Sequence, residues 1–313
     1  MDYSIVVPLY NEEEVITECH RQLSEAMADC DGEYELIYVN DGSRDKTMAM
    51  AREIAVNDGH VKIISFSRNF GHQTAITAGM DKASGKAVVV IDADLQDPPR
   101  VILEMIAKWK EGYEVVYGKR TKRKGETVFK KATAKIFYRT LNSMTDVDIP
   151  ADAGDFRLLD RKVIEALKTL PERSRYVRGL VSWVGYRQTA VEYVREERFA
   201  GETKYPLRKM LKFAADALTS FSQKPLKISM ALGFLFSFAS IVLFIVEILN
   251  AIFKYNVPVG TLSLFALLLL TNGIVLIMLG IIGQYIGRIY DEAKARPLYI
   301  IGETVGFDDQ APK

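Results

Sequence analysis

Three short polar clusters hold residue types that can bind a metal ion or a phosphate group. They are Pro8-Leu9-Tyr10-Asn11-Glu12, Asn40-Asp41-Gly42-Ser43, and Asp92-Ala93-Asp94-Leu95-Gln96-Asp97-Pro98-Pro99. Carboxylate and amide oxygens favour Mg²⁺ or Mn²⁺, and such an ion bridging a diphosphate neutralises charge as a leaving group departs. A short Asp-x-Asp pair is weak evidence alone, because aspartates also cap helices. Gln96 and the two prolines after it strengthen the metal interpretation of the third cluster.

Asp41 has two interpretations of equal weight when it is taken alone. With Gly42 and Ser43 it is typical of a turn followed by a helix cap. Its carboxylate is equally suited to accept a hydrogen bond from a nucleotide base or ribose. The functional interpretation gains weight if the strand before Asp41 lies close to the strand before Asp92.

The elements that must position these clusters alternate between strands and helices. Short runs rich in Val and Ile predict strands at Tyr3–Leu9, Tyr34–Asn40, Val61–Ser67, Ala87–Ile91 and Glu114–Tyr117, with helical patterns between them. This rhythm predicts an α/β domain with a doubly wound, mainly parallel sheet. Such sheets bind ligands at the carboxyl ends of their strands, where all three clusters fall. A G-x-G-x-x-G fingerprint and a P-loop are both absent from the sequence, which argues against a dinucleotide oxidoreductase or a kinase-like NTPase.

The C-terminal third is of a different kind. Ile228–Phe253 contains one charge, Glu247, and Val259–Gly287 contains none, and each run exceeds the roughly 20 residues that cross a hydrocarbon core. They predict a transmembrane hairpin, with a pair of buried core helices as the alternative. Basic residues flank the hairpin on its outer ends, which places both termini in the cytoplasm. Tyr205–Phe221 has apolar residues at helical spacing and basic residues elsewhere, and predicts a helix in the membrane interface.

Composition excludes several other classes of protein. The 313 residues carry 41 Lys+Arg against 40 Asp+Glu, which argues against a nucleic-acid binder built on bulk positive charge. Two cysteines and three histidines exclude a disulfide scaffold and a cysteine-rich zinc site. The mean hydropathy of +0.02 is an average over a soluble part and a membrane part.

The three clusters, in this order, resemble those of the inverting GT-A glycosyltransferases that use nucleotide sugars. More narrowly, the chain resembles the polyprenyl-phosphate glycosyltransferases, which include dolichol-phosphate mannose synthase and bacterial bactoprenol glucosyltransferases. The resemblance covers essentially the whole chain. It implies a cytoplasmic GT-A catalytic domain at 1–204, an amphipathic juxtamembrane region at 205–227, a two-helix transmembrane hairpin at 228–287 and a cytoplasmic tail at 288–313.

The resemblance also implies roles for individual residues. Those expected to bind the nucleotide sugar are Pro8, Tyr10, Glu12, Asp41, Asp92 and Ala93. Asp94 and Gln96 are expected to ligate Mg²⁺ or Mn²⁺ together with the diphosphate. Asp155 matches the acidic position near the acceptor, and Arg198 and Lys204 match a basic motif that meets phosphate. Asp155, Asp94 and Arg198 are the expected catalytic residues.

Elementary chemistry agrees with these positions. A lipid phosphate is already anionic near neutral pH, so Asp155 is expected to orient or modestly activate it. Arg198 can bind phosphate oxygens bidentately, although a surface ion pair with a neighbouring glutamate is the alternative. Lys119–Arg139 contains nine Lys+Arg and one acid. Its Arg120 and Arg123 are candidate acceptor-phosphate contacts, and a solvated basic face is the competing interpretation of that stretch.

The sequence therefore predicts an integral membrane enzyme, in a bacterial plasma membrane, that moves a hexose from a nucleotide sugar to polyprenyl phosphate. The preferred donor is UDP-glucose and the preferred acceptor undecaprenyl phosphate; GDP-mannose, UDP-N-acetylglucosamine and a modified pentose donor stay open. A processive polysaccharide synthase ranks lower, because no Gln-x-x-Arg-Trp motif is present. A silent scaffold that only binds nucleotide or lipid phosphate is the alternative from another class. Membrane lipids and further copies of the chain are the other expected partners, and no nucleic acid is expected.

Overall fold

The computed structural model of the chain describes residues 1–122, 150, 153–173, 175–196 and 261–307, together with scattered helical positions between 231 and 249. The strands are β1 Tyr3–Leu9, β2 Tyr34–Asn40, β3 Val61–Phe66, β4 Ala87–Val90, β5 Val115–Lys122, β6 Ala153–Asp160, β7 Gln188–Val194 and β8 Ile301–Val305. The helices are α1 Ile16–Ala28, α2 Thr47–Asn57, α3 His72–Lys82, α4 Val101–Lys110, α5 Arg161–Lys168, α6 Val177–Trp183 and α7 Thr261–Ala293.

The eight described strands form one sheet in the order β7-β5-β6-β4-β1-β2-β3-β8. The pairs β1–β2, β1–β4, β2–β3 and β5–β7 are parallel, whereas β6 runs antiparallel to both β4 and β5, and β8 runs antiparallel to β3. The predicted α/β fold is confirmed, with a mixed sheet where a mainly parallel one was predicted. The difference comes from β6 and β8, which run antiparallel to their neighbours and were not among the predicted strands.

The strands at the centre are buried on both faces, as their unbroken apolar runs require. Every residue of β1 and β4 is buried, and α1 covers the sheet with a buried stripe of Ile16, Cys19, Leu23 and Met27. Cys19 is therefore a core residue.

Pro8 lies in the middle of this sheet, although proline has no backbone N–H to donate. The β1–β4 pairing ends at Val6 and Val90, and the carbonyl of Val6 points toward β4, where it accepts from Ile91. Backbone groups of alternate residues point to the same side of a strand, so the nitrogen of Pro8 faces the β4 side, as the carbonyl of Val6 does. At Pro8, however, β4 has already ended. Proline is tolerated there because β4 has already turned away into the third polar cluster.

Helix α7 is 33 residues long and contains a segment, Leu270–Ala293, that is long and apolar enough to cross a membrane. The segment is not buried inside the described protein. The second predicted span, Val259–Gly287, is thus helical from Thr261 onward, and the helix continues beyond its predicted end. The first span, Ile228–Phe253, and the juxtamembrane stretch at 205–227 lie almost entirely outside the described residues.

After α7 the chain returns to the α/β domain. Within the predicted tail at 288–313, β8 pairs with β3 as the edge strand, with Val305 opposite Ile63. Tyr299 stacks on Phe66 with ring centroids 5.1 Å apart, and its hydroxyl donates to Asp81 at 3.1 Å. Glu303 forms an ion pair with Arg52 of α2. The segment that follows α7 is therefore part of the sheet.

Candidate active site

The three polar clusters meet at one edge of the sheet, because they follow parallel neighbours. Leu9, at the end of β1, lies opposite Asn40, at the end of β2, and β4 ends beside β1 on its other side. The first two clusters are joined directly by the backbone N–H of Asn11, which donates to Ser43 Oγ at 3.0 Å. The N–H of Glu12 likewise donates to Thr47 Oγ1 at 2.8 Å. Tyr10 stands exposed between them, where a planar ring is available for stacking.

Asp41 is buried, and its carboxylate organises the loop that follows β3. One oxygen, Oδ1, accepts from the N–H of Phe70 at 2.6 Å and of Gly71 at 3.2 Å. The other, Oδ2, accepts from the N–H of Gly71 and from Asn69 Nδ2, both at 2.9 Å. Burial raises the pKa of Asp41, and the backbone donors oppose that rise. Three donors, with the Gly71 N–H shared between the two oxygens, therefore hold this carboxylate within the protein.

Gly42 allows the Asp41 loop and the loop after β3 to pack together. Its φ is +66°, and a Cβ built on it would lie 2.5 Å from the carbonyl carbon of Arg68 and 2.6 Å from the N of Asn69. A side chain at position 42 would thus push the neighbouring backbone away. The sequence signal Asp-Gly-Ser marks both a turn and a close contact between two loops.

The third cluster leaves β4 with a two-residue alternation. Asp92, Asp94 and Gln96 are partly exposed, whereas Ile91, Ala93, Leu95 and Asp97 are buried. Leu95 has a φ of +57°, an uncommon conformation for a leucine, and Asp94 Oδ1 accepts from the N–H of Gln96 at 3.2 Å. The turn therefore presents three oxygen-bearing side chains on its accessible side. Ala93 contributes by packing into the core.

This turn fits a divalent cation whose ligands come partly from the protein and partly from a substrate. Oδ1 of Asp92 is buried and accepts no hydrogen bond from any described residue, and the ring of His72 lies 3.4 Å from it. A buried carboxylate oxygen without a hydrogen bond favours a cation beside it. Among the described residues, no three His, Cys, Asp or Glu side chains come close enough to form a metal site by themselves. Mg²⁺ is usually held by one or two carboxylates together with substrate phosphates. Asp94 and Gln96, next to Asp92, suit that arrangement.

Asp97 lies on the buried side of the turn, in contact with side chains of β5 and β7 and of the residue after β7. It is 1% exposed, accepts a hydrogen bond from the hydroxyl of Tyr193, and lies 3.4 Å from Nη2 of Arg120 and 3.8 Å from Nε of Arg195. Arg120, a predicted phosphate contact, is thus held in a buried ion pair. Arg123, Arg198 and Lys204, the other predicted contacts, lie outside the described residues. One buried carboxylate facing two guanidinium groups leaves a positive charge beside the turn.

Asp155, near the start of β6, is 7% exposed and lies among three side chains from two helices. Arg178 of α6 donates to it through Nε at 2.8 Å and Nη2 at 3.1 Å. Gln73 Nε2 donates at 3.2 Å, and His72 Nε2 lies 3.4 Å away. Burial alone would raise the pKa of Asp155, but Arg178 and His72 hold it well below its usual range.

His72 lies between the third polar cluster and Asp155. Its Nε2 lies 3.4 Å from Oδ1 of Asp92 and 3.4 Å from Oδ2 of Asp155. Burial lowers the pKa of His72, but the two carboxylates outweigh it and raise that pKa to about 9. Burial raises the pKa of Asp92 to about 6, against the effect of His72. His72 therefore has two carboxylates of the candidate site as partners.

The pKa of His72 predicts a pH-dependent stability. A histidine whose pKa is raised on folding stabilises the folded state fully below its unfolded value of 6.5, and this contribution is lost as the pH rises toward about 9. Asp92 is ionised above about pH 6, so it does not contribute in that window. We expect the unfolding temperature to fall between about pH 7 and 9 in the wild type and less in H72Q. Parallel curves for the two proteins in thermal unfolding would contradict this assignment.

Sequence reasoning missed Arg178, Gln73, Asp97 and Tyr193 as site residues. Gln73 and Arg178 are 105 positions apart along the chain, and no motif connects them. Asp97 lies within the third cluster, but its residue type alone does not distinguish a buried anchor from a metal ligand.

The mixed sheet and the Asp92-x-Asp94 turn at its carboxyl edge define a glycosyltransferase domain of the GT-A type. The chain belongs to glycosyl transferase family 2, whose domain matches residues 4–168, and it is a glycosyltransferase. Residues 224–289 match a second domain, described as the GtrB C-terminal hairpin.

Relatives align along nearly the whole chain. A Bacillus subtilis protein described as uncharacterized glycosyltransferase YkcC is 59% identical over 310 residues, which cover 99% of this chain and 96% of the relative. A prophage bactoprenol glucosyl transferase homolog of Escherichia coli is 41% identical and covers 96% and 98%. The bactoprenol glucosyl transferase of Shigella phage SfV is also 41% identical, with the same coverage. The resemblance to this family is thereby confirmed.

Proposed function

We propose that the protein is a membrane-bound inverting glycosyltransferase that moves glucose from UDP-glucose to undecaprenyl phosphate. The observation that carries the proposal is the position of His72, whose Nε2 lies 3.4 Å from both Asp92 and Asp155. The cluster expected to bind the donor and the carboxylate expected near the acceptor therefore meet at one point. The full-length relatives named bactoprenol glucosyl transferases support this donor sugar and this class of lipid acceptor.

The reaction is a single in-line displacement. An oxygen of the lipid phosphate attacks the anomeric carbon, the bond from that carbon to the β-phosphate breaks, and UDP leaves with the bonding electrons. An α-linked donor thus gives a β-linked lipid sugar. The phosphate nucleophile is already anionic, so the protein contributes alignment and stabilisation of charge.

The residues divide between the two substrates. We assign Tyr10, Glu12, Asp41 and Asp92 to the nucleotide, because their clusters follow neighbouring strands at one edge of the sheet. A Mg²⁺ or Mn²⁺ ion held by Asp94, Gln96 and the diphosphate would neutralise charge on the leaving group. Arg120, in its buried pair with Asp97, adds positive potential near the phosphates. We assign Arg198 and Lys204 to the acceptor phosphate through the matching sequence motif. We assign Arg123 to it as part of the basic stretch at 119–139.

The membrane part brings the acceptor to this edge of the sheet. We propose that residues 228–287 form a two-helix hairpin, which the apolar α7 and the match to the hairpin domain support. A hairpin leaves both of its ends on one face of the membrane. Since β8 follows α7 and pairs with β3, the segment after the hairpin lies on the same face as the catalytic domain, which the basic flanks place in the cytoplasm.

A transfer assay tests the proposal. Purified full-length protein in detergent would be incubated with Mg²⁺ or Mn²⁺, undecaprenyl phosphate and one labelled donor at a time: UDP-glucose, UDP-N-acetylglucosamine, GDP-mannose or a nucleotide-linked modified pentose. We expect label in the lipid phase from UDP-glucose. Label from a different donor would correct the sugar, and absence of label from all donors, with folded protein, would favour a silent scaffold.

A further inference from the structure

The carboxylate of Asp155 is held by a three-residue clamp, which we define as His72, Gln73 and Arg178. Arg178 makes the strongest contact, because its two N–H groups meet both carboxylate oxygens at 2.8 and 3.1 Å, the bidentate geometry in which a guanidinium fixes a carboxylate. Gln73 connects Asp155 to the backbone of α6. It donates to Asp155 at 3.2 Å, and its Oε1 accepts from the N–H of Val177, at the start of α6, at 3.0 Å.

We propose that Arg178 is a positioning residue for sugar transfer: it fixes Asp155, and through Asp155 it fixes His72 against Asp92, so that the donor and acceptor sides of the site stay aligned. This inference rests on the proposed function. No step of the reaction requires Arg178 to touch a substrate.

Charge gives the clamp a second effect. Asp92 and Asp155 bring two negative charges to a site where two anionic substrates, a nucleotide diphosphate and a lipid phosphate, must approach each other. Arg178 balances part of that charge, and the buried guanidinium of Arg157, hydrogen-bonded to the carbonyl of Gly154 at 2.8 Å, adds one more positive charge. Loss of Arg178 would leave the acceptor side of the site less positive, and the bound phosphate would be repelled more strongly.

The same geometry explains why Asp155 is an orienting group. Its oxygens accept two N–H bonds from Arg178 and one from Gln73, and the neighbouring cation favours the ionised form. A carboxylate so engaged is a poor proton acceptor. The anionic acceptor has no proton that must be removed before attack, so a fixed and ionised Asp155 meets the needs of the reaction.

Steady-state kinetics of R178A and R178K, with donor and acceptor varied separately, test the proposal. In R178A we expect kcat to fall about 100-fold, as misplacement of aligned groups by about 1 Å does, and the acceptor KM to rise about 10-fold. The donor KM should stay within about threefold of the wild-type value, because Arg178 holds Asp155, the carboxylate assigned to the acceptor side. R178K keeps the positive charge but loses the bidentate pair of N–H groups that holds Asp155. Its kcat should therefore fall about 10-fold, with little change in acceptor KM. Added guanidinium should restore part of the activity of R178A.

The matched control is the same pair of changes at Arg21, which lies on the exposed face of α1 in ion pairs with Glu18 and Glu25. R21A and R21K should retain wild-type kinetics. Binding of UDP, measured by calorimetry, reports whether R178A and R178K are folded.

The outcomes separate the inference from the function on which it rests. If the wild type transfers sugar and both Arg178 variants keep kcat and acceptor KM within twofold, the inference is wrong and the proposed function stands. If R178A and R178K bind UDP but are equally inactive, with no rescue by guanidinium, Arg178 does more than position Asp155 and the inference is again wrong. A folded wild type that transfers no sugar would overturn both.

Discussion

D94A is expected to abolish sugar transfer, with kcat lowered about 1,000-fold or more, as when a group that stabilises charge in a transition state is removed. Asp94 lies on the accessible side of the turn after β4, between Asp92 and Gln96. It is proposed to hold the metal ion that neutralises the departing diphosphate. Without Asp94, the remaining oxygens of the turn cannot retain that ion, and binding of Mn²⁺ in the presence of UDP should weaken in parallel with kcat.

The control for D94A is D31A, because Asp31 is 97% exposed and lies far from the carboxyl edge of the sheet. Turnover is measured by transfer of label to lipid, and metal binding by the paramagnetic resonance of Mn²⁺. Full activity of D94A with unchanged Mn²⁺ binding would show that the metal assignment is wrong. Loss of activity with unchanged Mn²⁺ binding would show that Asp94 contacts the substrate and does not ligate the metal.

The second large effect is expected at Asp41, and it concerns stability. In D41N an NH₂ group replaces one of the two carboxylate oxygens. That oxygen accepts hydrogen bonds from N–H groups of Asn69, Phe70 or Gly71, and an NH₂ group cannot accept them. Hydrogen bonds to a charged group contribute about 1.5–3 kcal/mol each, and buried donors left unpaired cost a further 1–3 kcal/mol. We expect the free energy of unfolding to fall by about 3 kcal/mol, with weaker binding of UDP because the loop after β3 is no longer fixed.

Chemical unfolding of the full-length protein in detergent, with D29N as an exposed control, measures this effect. The experiment also decides between the two interpretations of Asp41 that the sequence left open. A variant that is as stable as the wild type but does not bind UDP would show that Asp41 contacts the nucleotide directly. Loss of stability together with loss of binding would show that it acts through the loop.

The centre of the fold could be predicted because strands buried on both faces consist of unbroken runs of apolar residues. β1 and β2 match their predicted bounds, and β3, β4 and β5 begin within one residue of theirs. Parallel neighbours necessarily end at the same edge, so the meeting of the three clusters followed from the alternation of strands and helices. β6 was missed because it begins with Ala153-Gly154-Asp155, and β8 because it follows a long apolar segment.

The clamp could not be predicted, because it depends on how α3 and α6 pack beside β6. His72 and Gln73 gave no signal beyond their position at the start of a helix, and Arg178 stands in a short helix with no motif. The turn after β4 was predicted only in part. Its composition indicated a metal site, whereas its geometry depends on Leu95, whose φ of +57° allows Asp92, Asp94 and Gln96 to stay on the accessible side.

The pairing of β8 with β3 sets an order on the assembly of the protein during synthesis. When the ribosome has made residues 1–196, the strands described as β1 to β7 have been translated, but the outer edge of β3 is open. Open edges pair readily with other chains. The strand that covers this edge is translated only after α7. The catalytic sheet is therefore completed last, after the apolar segment has emerged, and a chain whose apolar segment is misplaced keeps an unprotected edge that can mark it for aggregation or removal.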